Sequence, residues 1–275
     1  MKTGAILNFW DCRELLPYAV LNWFKCVDEV IIIFSDMSNY EEYVNNTDYL
    51  DGPEFTRCKI YRCEPLKGLP AVDNERRKRN FGLDKAQELG ITHFVTADVD
   101  EFYEPEAFHM ELKRIHVKTN LLGVCCASQV YFKSPTLTIG LDVTIVPFIH
   151  KLTIGLRHTF NKNYPFAFLN GIKIDPTRQF NINSGVEWSN IIMHHYSYVR
   201  KDLEQKIRNS TARINLERST IRQDFMSARE GYYCQFYQKT LVRVPNLFEL
   251  PDYGELLLKD LQQGGEPVPS ADKAN

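Results

Sequence analysis

The chain has 275 residues, 44% of them hydrophobic and 25% charged, and a net charge of -2. That balance speaks against disorder and membrane residence, and it removes any global attraction to nucleic acid. The length suits one large α/β unit, expected over residues 1–261 with halves at 1–105 and 106–261 and a flexible tail at 262–275.

Seven cysteines (12, 26, 58, 63, 125, 126 and 234) follow no regular spacing and sit mostly in apolar runs. Buried free thiols are expected rather than a disulfide frame or a zinc site. The opening MKTGAILNFWDCRELL meets Asp11, Arg13 and Glu14 too soon for a signal peptide, and no later window reaches the roughly 20 apolar residues of a membrane span. A cytoplasmic protein is the expectation, in the host cytoplasm if the chain is viral.

The first forty residues read as a β-α-β unit. Gly4 to Phe9 is a short apolar strand, and Leu16, Val20, Trp23 and Phe24 mark one helical face. Pro17 suits the first helical turn, where its missing N–H costs nothing. Val30 to Phe34 is an unbroken β-branched and aromatic run, as in a strand covered on both faces of a parallel sheet. A polar connection from Ser35 to Asp51 leads to a third strand at Cys58 to Cys63. Asp73 or Asn74 is expected to cap a helix through Leu89 that Gly90 ends. Thr92 to Thr96 predicts a fourth strand, with Asp98-Val99-Asp100-Glu101 at its carboxyl end, where open α/β sheets bind ligands.

From Leu121 to Met193 the pattern shifts to short strands and turns. Leu122 to Phe132, Val143 to Val146, Ile172 to Ile174 and Val186 to Met193 are the strand candidates, separated by Pro135, Gly140, Pro147, Pro165, Gly171 and Pro176. Leu203, Ile207, Thr211 and Ile214 then mark one face of a C-terminal helix. The end from Gln262 has the Gly, Pro and polar content of a disordered tail.

Two aspartates one residue apart, where a buried strand ends and the chain turns, gather acidic oxygens around one point. A hard divalent cation takes such oxygens and keeps positions open for phosphate. The preceding helix opens with Arg76, Arg77, Lys78 and Arg79, which can reach a diphosphate, although a solvated basic face is the commoner use. In WSNIIMHHYSYVRKD the strand puts His194 and His195 on opposite faces, so one imidazole can enter a given site. An imidazole beside two carboxylates suits Mn²⁺ better than Mg²⁺.

Taken in order, these features resemble the family 2-like GT-A glycosyltransferases over about the first 105 residues: an opening strand with Asn8, a helix, VDEVIIIFSD ending in Asp36, the R-N-x-G-L pattern of Arg79, Asn80, Gly82 and Leu83, then DVDEFY. The resemblance implies an α/β fold of GT-A type. A mostly parallel central sheet flanked by helices would form a Rossmann-like nucleotide half, with a smaller mixed β acceptor half and a C-terminal helix. It implies nucleotide contacts for Asp36 and Asn80, a base pocket lined by Asn8, and metal and diphosphate work for Asp98 and Asp100. His195 would be the late histidine that such enzymes supply to the metal, while Arg79 and Arg200, with Lys201, would face the diphosphate. The implied cofactors are Mn²⁺ or Mg²⁺ and a nucleotide-sugar donor, UDP-sugar first. The partner is a hydroxyl acceptor, a glycan or a hydroxymethylated base in viral DNA.

An inverting enzyme also needs a carboxylate within reach of the acceptor hydroxyl. Glu187 is the first choice, on the strand leading to His195, and Asp175 the second; Asp142 and Glu101 stay open, and a retaining enzyme would need none. Between Tyr198 and Arg222 lie seven Lys or Arg residues against three Asp or Glu. Such a stretch would serve a polyanionic acceptor, DNA or an anionic glycan, unless its charges simply stay in water. Two rivals remain. A nucleotidyltransferase usually carries a Gly-rich loop after its first strand, where this chain reads NFWDCRELL. A non-catalytic carbohydrate or nucleic-acid binding module would tolerate loss of Asp100.

Overall fold

The computed structural model describes residues 1–164 and 173–253. β1 (Thr3–Phe9) leads through α1 (Leu16–Phe24) to β2 (Glu29–Phe34), and Pro17 falls in the first turn of the helix. After the short α2 (Asn46–Tyr49) come β3 (Lys59–Arg62), α3 (Ala71–Glu88) and β4 (His93–Asp98). The four strands lie in the order β3-β2-β1-β4, all parallel. Alternate side chains go to opposite faces, which is why continuous apolar runs were needed. Ala5, Leu7 and Phe9 join Trp23 of α1 in one core, and Ile6, Ile31 and Ile33 join Leu83 and Ala86 of α3 in the other. A Cβ on Gly82 would lie 2.5 Å from Ile6 Cγ2, so glycine is what lets α3 seat this deeply on the sheet.

Helix α3 starts earlier than the expected caps. Pro70 holds the N-cap, and Asn74, inside the first turn, bonds the backbone N–H and C=O of Leu66, pinning the loop before the helix. Gly90, at φ +71°, ends it as expected. Beyond β4, the two-residue β5 (Glu101–Phe102) precedes α4 (Pro105–Val117), a helix absent from the sequence reading. Its buried Phe108, Leu112 and Ile115 do carry a helical period, and they complete the core on the α1 face.

The second half is a larger departure. β6 (Gly123–Phe132) and β7 (Ser134–Lys151) form one long antiparallel hairpin, although only Val143 to Val146 was expected in the second strand. Pro135, Gly140 and Pro147 sit inside β7 rather than between strands. The ladder accommodates such residues with register shifts, and Gly140 takes a φ of +75°. β7 pairs antiparallel with β4 and so joins the halves into one sheet. β8 (Lys173–Ile174) adds to β7, and β9 (Val186–Tyr198) runs parallel to β6 and antiparallel to β5. The path is β3-β2-β1-β4-β7-β6-β9-β5, an α/β arrangement of a parallel half and a mixed half, and the mixed half is the larger rather than the smaller one expected, with its long β6, β7 and β9.

The single expected C-terminal helix is three short ones: α5 (Leu203–Asn209), α6 (Arg213–Glu217) and α7 (Ile221–Ser227). Ser210 is extended at φ -69° and ψ 142°, which stops α5, and Ile214 is 63% exposed rather than on an inner face. The hairpin of β10 (Tyr233–Cys234) and β11 (Lys239–Thr240) follows, and β12 (Val242–Arg243) pairs with β7. Asp224 of α7 accepts bonds from the backbone N–H groups of Gln235 and Phe236 and from Thr220 and Tyr232, which ties the hairpin to the helix. All seven cysteines are free. No described helix is long and apolar enough to cross a membrane. Pro165, Gly171 and the tail from Gln262 lie outside the described residues.

Candidate active site

The carboxyl ends of β1, β2 and β4 open into a cleft of about 900 Å³, within the size range of small-molecule sites. β6, β7 and β9 supply another wall, and α5, α6 and the turn between β10 and β11 a third. Seven carboxylates (Asp11, Glu75, Asp98, Asp100, Glu101, Asp142 and Asp175) and four cations line it. Added cationic charge would therefore relieve repulsion there.

Local pairing explains how the acidic turn is aimed. Asp98 ends β4 beside Asn8 of β1, the chain turns, and β5 then pairs Glu101 with His195 of β9. The Tyr196 N–H donates to the Asp100 carbonyl at 2.7 Å. As a result one ligand atom each from Asp100, Glu101 and His195 lie within 4.8 Å of one another. Asp100 Oδ1 is buried without a hydrogen-bond partner among the described residues, and His195 Nε2 stands 3.6 Å from it. Asp100 Oδ2 meets Arg200 at 3.0 Å and Lys206 at 3.8 Å. Burial works to raise this carboxyl, but Lys206, His195 and Arg200 outweigh it and hold the group well below the usual carboxylate range. An ionised, orphaned oxygen facing an imidazole nitrogen is a donor set that fits a divalent cation.

Asp98, expected in that set, is turned to other partners. Arg178 Nη2 lies 2.6 Å from its Oδ2 and Arg79 Nη2 3.2 Å from its Oδ1. Burial again pushes upward, and the two guanidinium groups overcome it, holding the Asp98 carboxyl at about 2. Glu101 takes the place Asp98 was given among the candidate ligands. It accepts from Arg178 at 2.5 and 2.9 Å and from the Asp98 N–H at 3.0 Å, while burial raises its carboxyl against the pull of Arg178.

Asn8, Asp98, Asp100, Asp142, Asp175, Glu101 and His195 all line the cleft; Asp36, Arg79, Asn80, Glu187, Arg200 and Lys201, also named from sequence, do not. Arg79 is fully buried and pairs with Glu75 and Asp98. Asp36 is spent on the start of α2, where it accepts from Asn46 N, Thr47 N and Thr47 Oγ1 and pairs with Arg62. Asn80 bonds both the N–H and C=O of His158, fastening α3 to the second half instead of a nucleotide. Arg200 is 2% exposed and committed to Asp11, Asp100 and the Ser197 carbonyl. Glu187 sits eight residues up β9 from His195, about 26 Å along an extended strand, and pairs with Arg114 and Lys118. That correction removes the first choice of base and leaves Asp175 and Asp142 in the cleft. His194 points away, bonded to the Tyr131 hydroxyl at 2.8 Å and pushed by burial to about 4.

Arg178 was missed altogether. It is 4% exposed and clamps Asp98 and Glu101 from a turn in which its own N–H bonds the Asp175 carbonyl. The sequence DPTRQF announces a turn, but nothing local tells of carboxylates some 80 positions upstream. Glu75 was missed as well, though its i,i+4 spacing to Arg79 was visible. The basic clusters are mostly satisfied internally. Arg76 pairs with Asp73, Arg77 bonds the Glu64 carbonyl, and Arg208, Arg213 and Arg222 pair with Glu42, Glu217 and Glu204. The polyanionic-acceptor reading therefore draws no support from these side chains.

No protein-family model matches the chain, and no curated protein matches it. Among solved structures, S. aureus TarS is 16% identical over 49% of this chain and 22% of that one, at a TM-score of 0.31. A mannose-1-phosphate geranyltransferase from Thermus thermophilus is 12% identical over 50% and 44%, at 0.31. A cytidylyltransferase from Leptospira borgpetersenii is 10% identical over 55% and 61%, at 0.33. In each case less than two thirds of the other chain is covered, and likeness this distant establishes neither a family nor an activity.

Proposed function

We propose that the chain is a GT-A type glycosyltransferase, a metal-dependent enzyme that moves a sugar from a nucleotide-sugar donor, UDP-sugar first, to a hydroxyl acceptor. One observation carries the reading: the orphaned Asp100 Oδ1 facing His195 Nε2 at the carboxyl ends of parallel strands, with Glu101 in the same cluster. Asp100, Glu101 and His195 would hold Mn²⁺ or Mg²⁺. That ion would supply charge neutralisation to a departing nucleoside diphosphate. Asn8, whose amide oxygen and nitrogen are both buried without partners among the described residues, would meet the base. Arg178 and Arg79 keep Asp98 ionised and fixed beside the donor. Asp175 or Asp142, both lining the cleft, would take a proton from an acceptor hydroxyl if configuration is inverted.

The test is a thermal-shift panel of UDP-, GDP-, TDP- and CMP-sugars with Mn²⁺ and with EDTA. A cognate donor at a hundredfold excess over its Kd should add about 2.7 kcal/mol, or roughly 5 °C. Silence from every donor with metal present would sink the reading. A shift with a nucleoside triphosphate plus a sugar 1-phosphate, and none with the nucleotide sugars, would give the site to a nucleotidyltransferase.

A further inference from the structure

Four cations line the cleft among the described residues, and three of them donate hydrogen bonds to protein atoms. Lys78 Nζ donates to the Phe9 carbonyl at 2.7 Å and to Ser35 Oγ at 3.2 Å; Arg178 is held by Asp98 and Glu101; Lys239 Nζ bonds the Leu141 carbonyl. Lys206 differs. Its ammonium has one ion pair among the described residues, with Asp100 Oδ2 at 3.8 Å, and no hydrogen bond to any of them. Of the basic residues expected over a diphosphate, Arg79 is fully buried and paired with Glu75 and Asp98, and the two after the late histidine are unsuited as well. Arg200 is committed on all sides, and Lys201 Nζ lies 5.4 Å from the Tyr253 ring centroid, outside the cleft.

The position of Lys206 is also fixed from two directions. Asp202 caps α5 by accepting from Gln205 N. At the other end, Asn209 Nδ2 donates to Glu42 at 2.7 Å and Tyr40 OH donates to the Ser210 carbonyl at 3.1 Å. The loop after β2 thus ties α5 down across the cleft and keeps its lysine beside Asp100. A cation with three donors, held in a ligand-sized cleft next to a buried carboxylate, is built to receive a second anion.

We propose that Lys206 is a catalytic residue whose ammonium pairs with the donor diphosphate; this rests on the transferase reading above. When the bond between the sugar C1 and the terminal phosphate oxygen breaks, its electron pair stays on that oxygen. The acceptor hydroxyl oxygen bonds to C1 and its proton passes to a cleft carboxylate, Asp175 or Asp142; where water is the acceptor the proton goes to solvent. Lys206 keeps its proton throughout and pairs more strongly as charge builds on the departing phosphate.

Mn²⁺ and pyrophosphate serve as the probes, titrated against the full chain by calorimetry. Native protein should bind pyrophosphate in Mn²⁺, and Lys206→Gln should bind it about 10- to 100-fold more weakly. Lys206→Arg should recover most of that loss, and Mn²⁺ alone should bind the Gln form at least as tightly as the native one, because a cation beside Asp100 is gone. Equal pyrophosphate affinity in native and Gln protein, or none in the native, overturns the proposal. Lysine-dependent pyrophosphate binding that persists in EDTA would keep Lys206 and remove the metal, separating the two readings. Should the Gln form fail to fold, native protein decides: Mn²⁺ with pyrophosphate must slow acylation of Lys206 by an amine-reactive reagent, and no protection rejects the assignment.

Discussion

The parallel half of the sheet and the mixed half furnish the cleft in different ways. β1, β2 and β4 deliver Asn8, Ser35 and Asp98 together, because parallel strands in register end on one line. The mixed half instead sends single side chains from separate places: Arg178 from a turn, His195 from the middle of β9's pairing with β5, and Lys206 from a short helix. The first half sets where a ligand sits and supplies five of the seven cleft carboxylates; the second sends in the imidazole and three of the four cations that face them.

Removing Arg178 should break that division most severely. Arg178→Ala leaves Glu101 and part of Asp98 buried without their counter-charge, and a broken buried pair costs about 3–5 kcal/mol. Urea unfolding of native and variant protein measures it. A loss below about 1 kcal/mol would mean that the two halves hold their charges independently. Next in size, Asp100→Asn should lower metal-dependent donor turnover about 10²- to 10³-fold while the chain keeps its far-UV dichroism. Turnover at the native level would take the cation out of the mechanism.

Legibility follows the same line. Val30 to Phe34 could be read as a strand because burial on both faces demands uninterrupted apolar residues, and the acidic turn could be located from the end of the strand at Thr92 to Thr96. β7 could not, since its Pro135, Gly140 and Pro147 are breakers in an isolated segment and are tolerated only where register shifts in a long hairpin make room for them. Asp98 was identified as acidic and strand-terminal, yet its partners Arg79 and Arg178 decide that it faces guanidinium groups, and the second is 80 residues away. Glu187 illustrates the opposite error. Its strand was right, and its place along the strand was not.

Lys78 offers a milder, pH-dependent comparison, because it belongs to the first half yet carries a displaced charge. Burial pushes its ammonium from 10.5 down to about 8, against the pull of Cys63 and Glu75. Below pH 8 both folded and unfolded chains hold the proton. Between about 8 and 10.5 the folded chain has shed it and the unfolded chain has not, so stability rises with pH across that window. Lys78→Met lacks this contribution. Native protein should therefore gain about 1–2 kcal/mol on the variant between pH 7.5 and pH 10, after discounting for partial exposure. Paired urea titrations at the two pH values check it, and parallel behaviour would place the ammonium in water.

The smallest expected effect is the one that isolates the second half. Glu187 is 44% exposed and its partners Arg114 and Lys118 are 30% and 46% exposed, so the cluster is a surface one. Such pairs contribute about 0–1 kcal/mol, and Glu187→Gln should shift the urea midpoint by no more than that. Its distance from His195 also predicts turnover within about twofold of native, whereas Asp175→Asn, inside the cleft, should act on kcat if it takes the acceptor proton. A large kcat loss in Glu187→Gln with no change in Asp175→Asn would reverse the assignment, and would require β9 to present its other end to the acceptor.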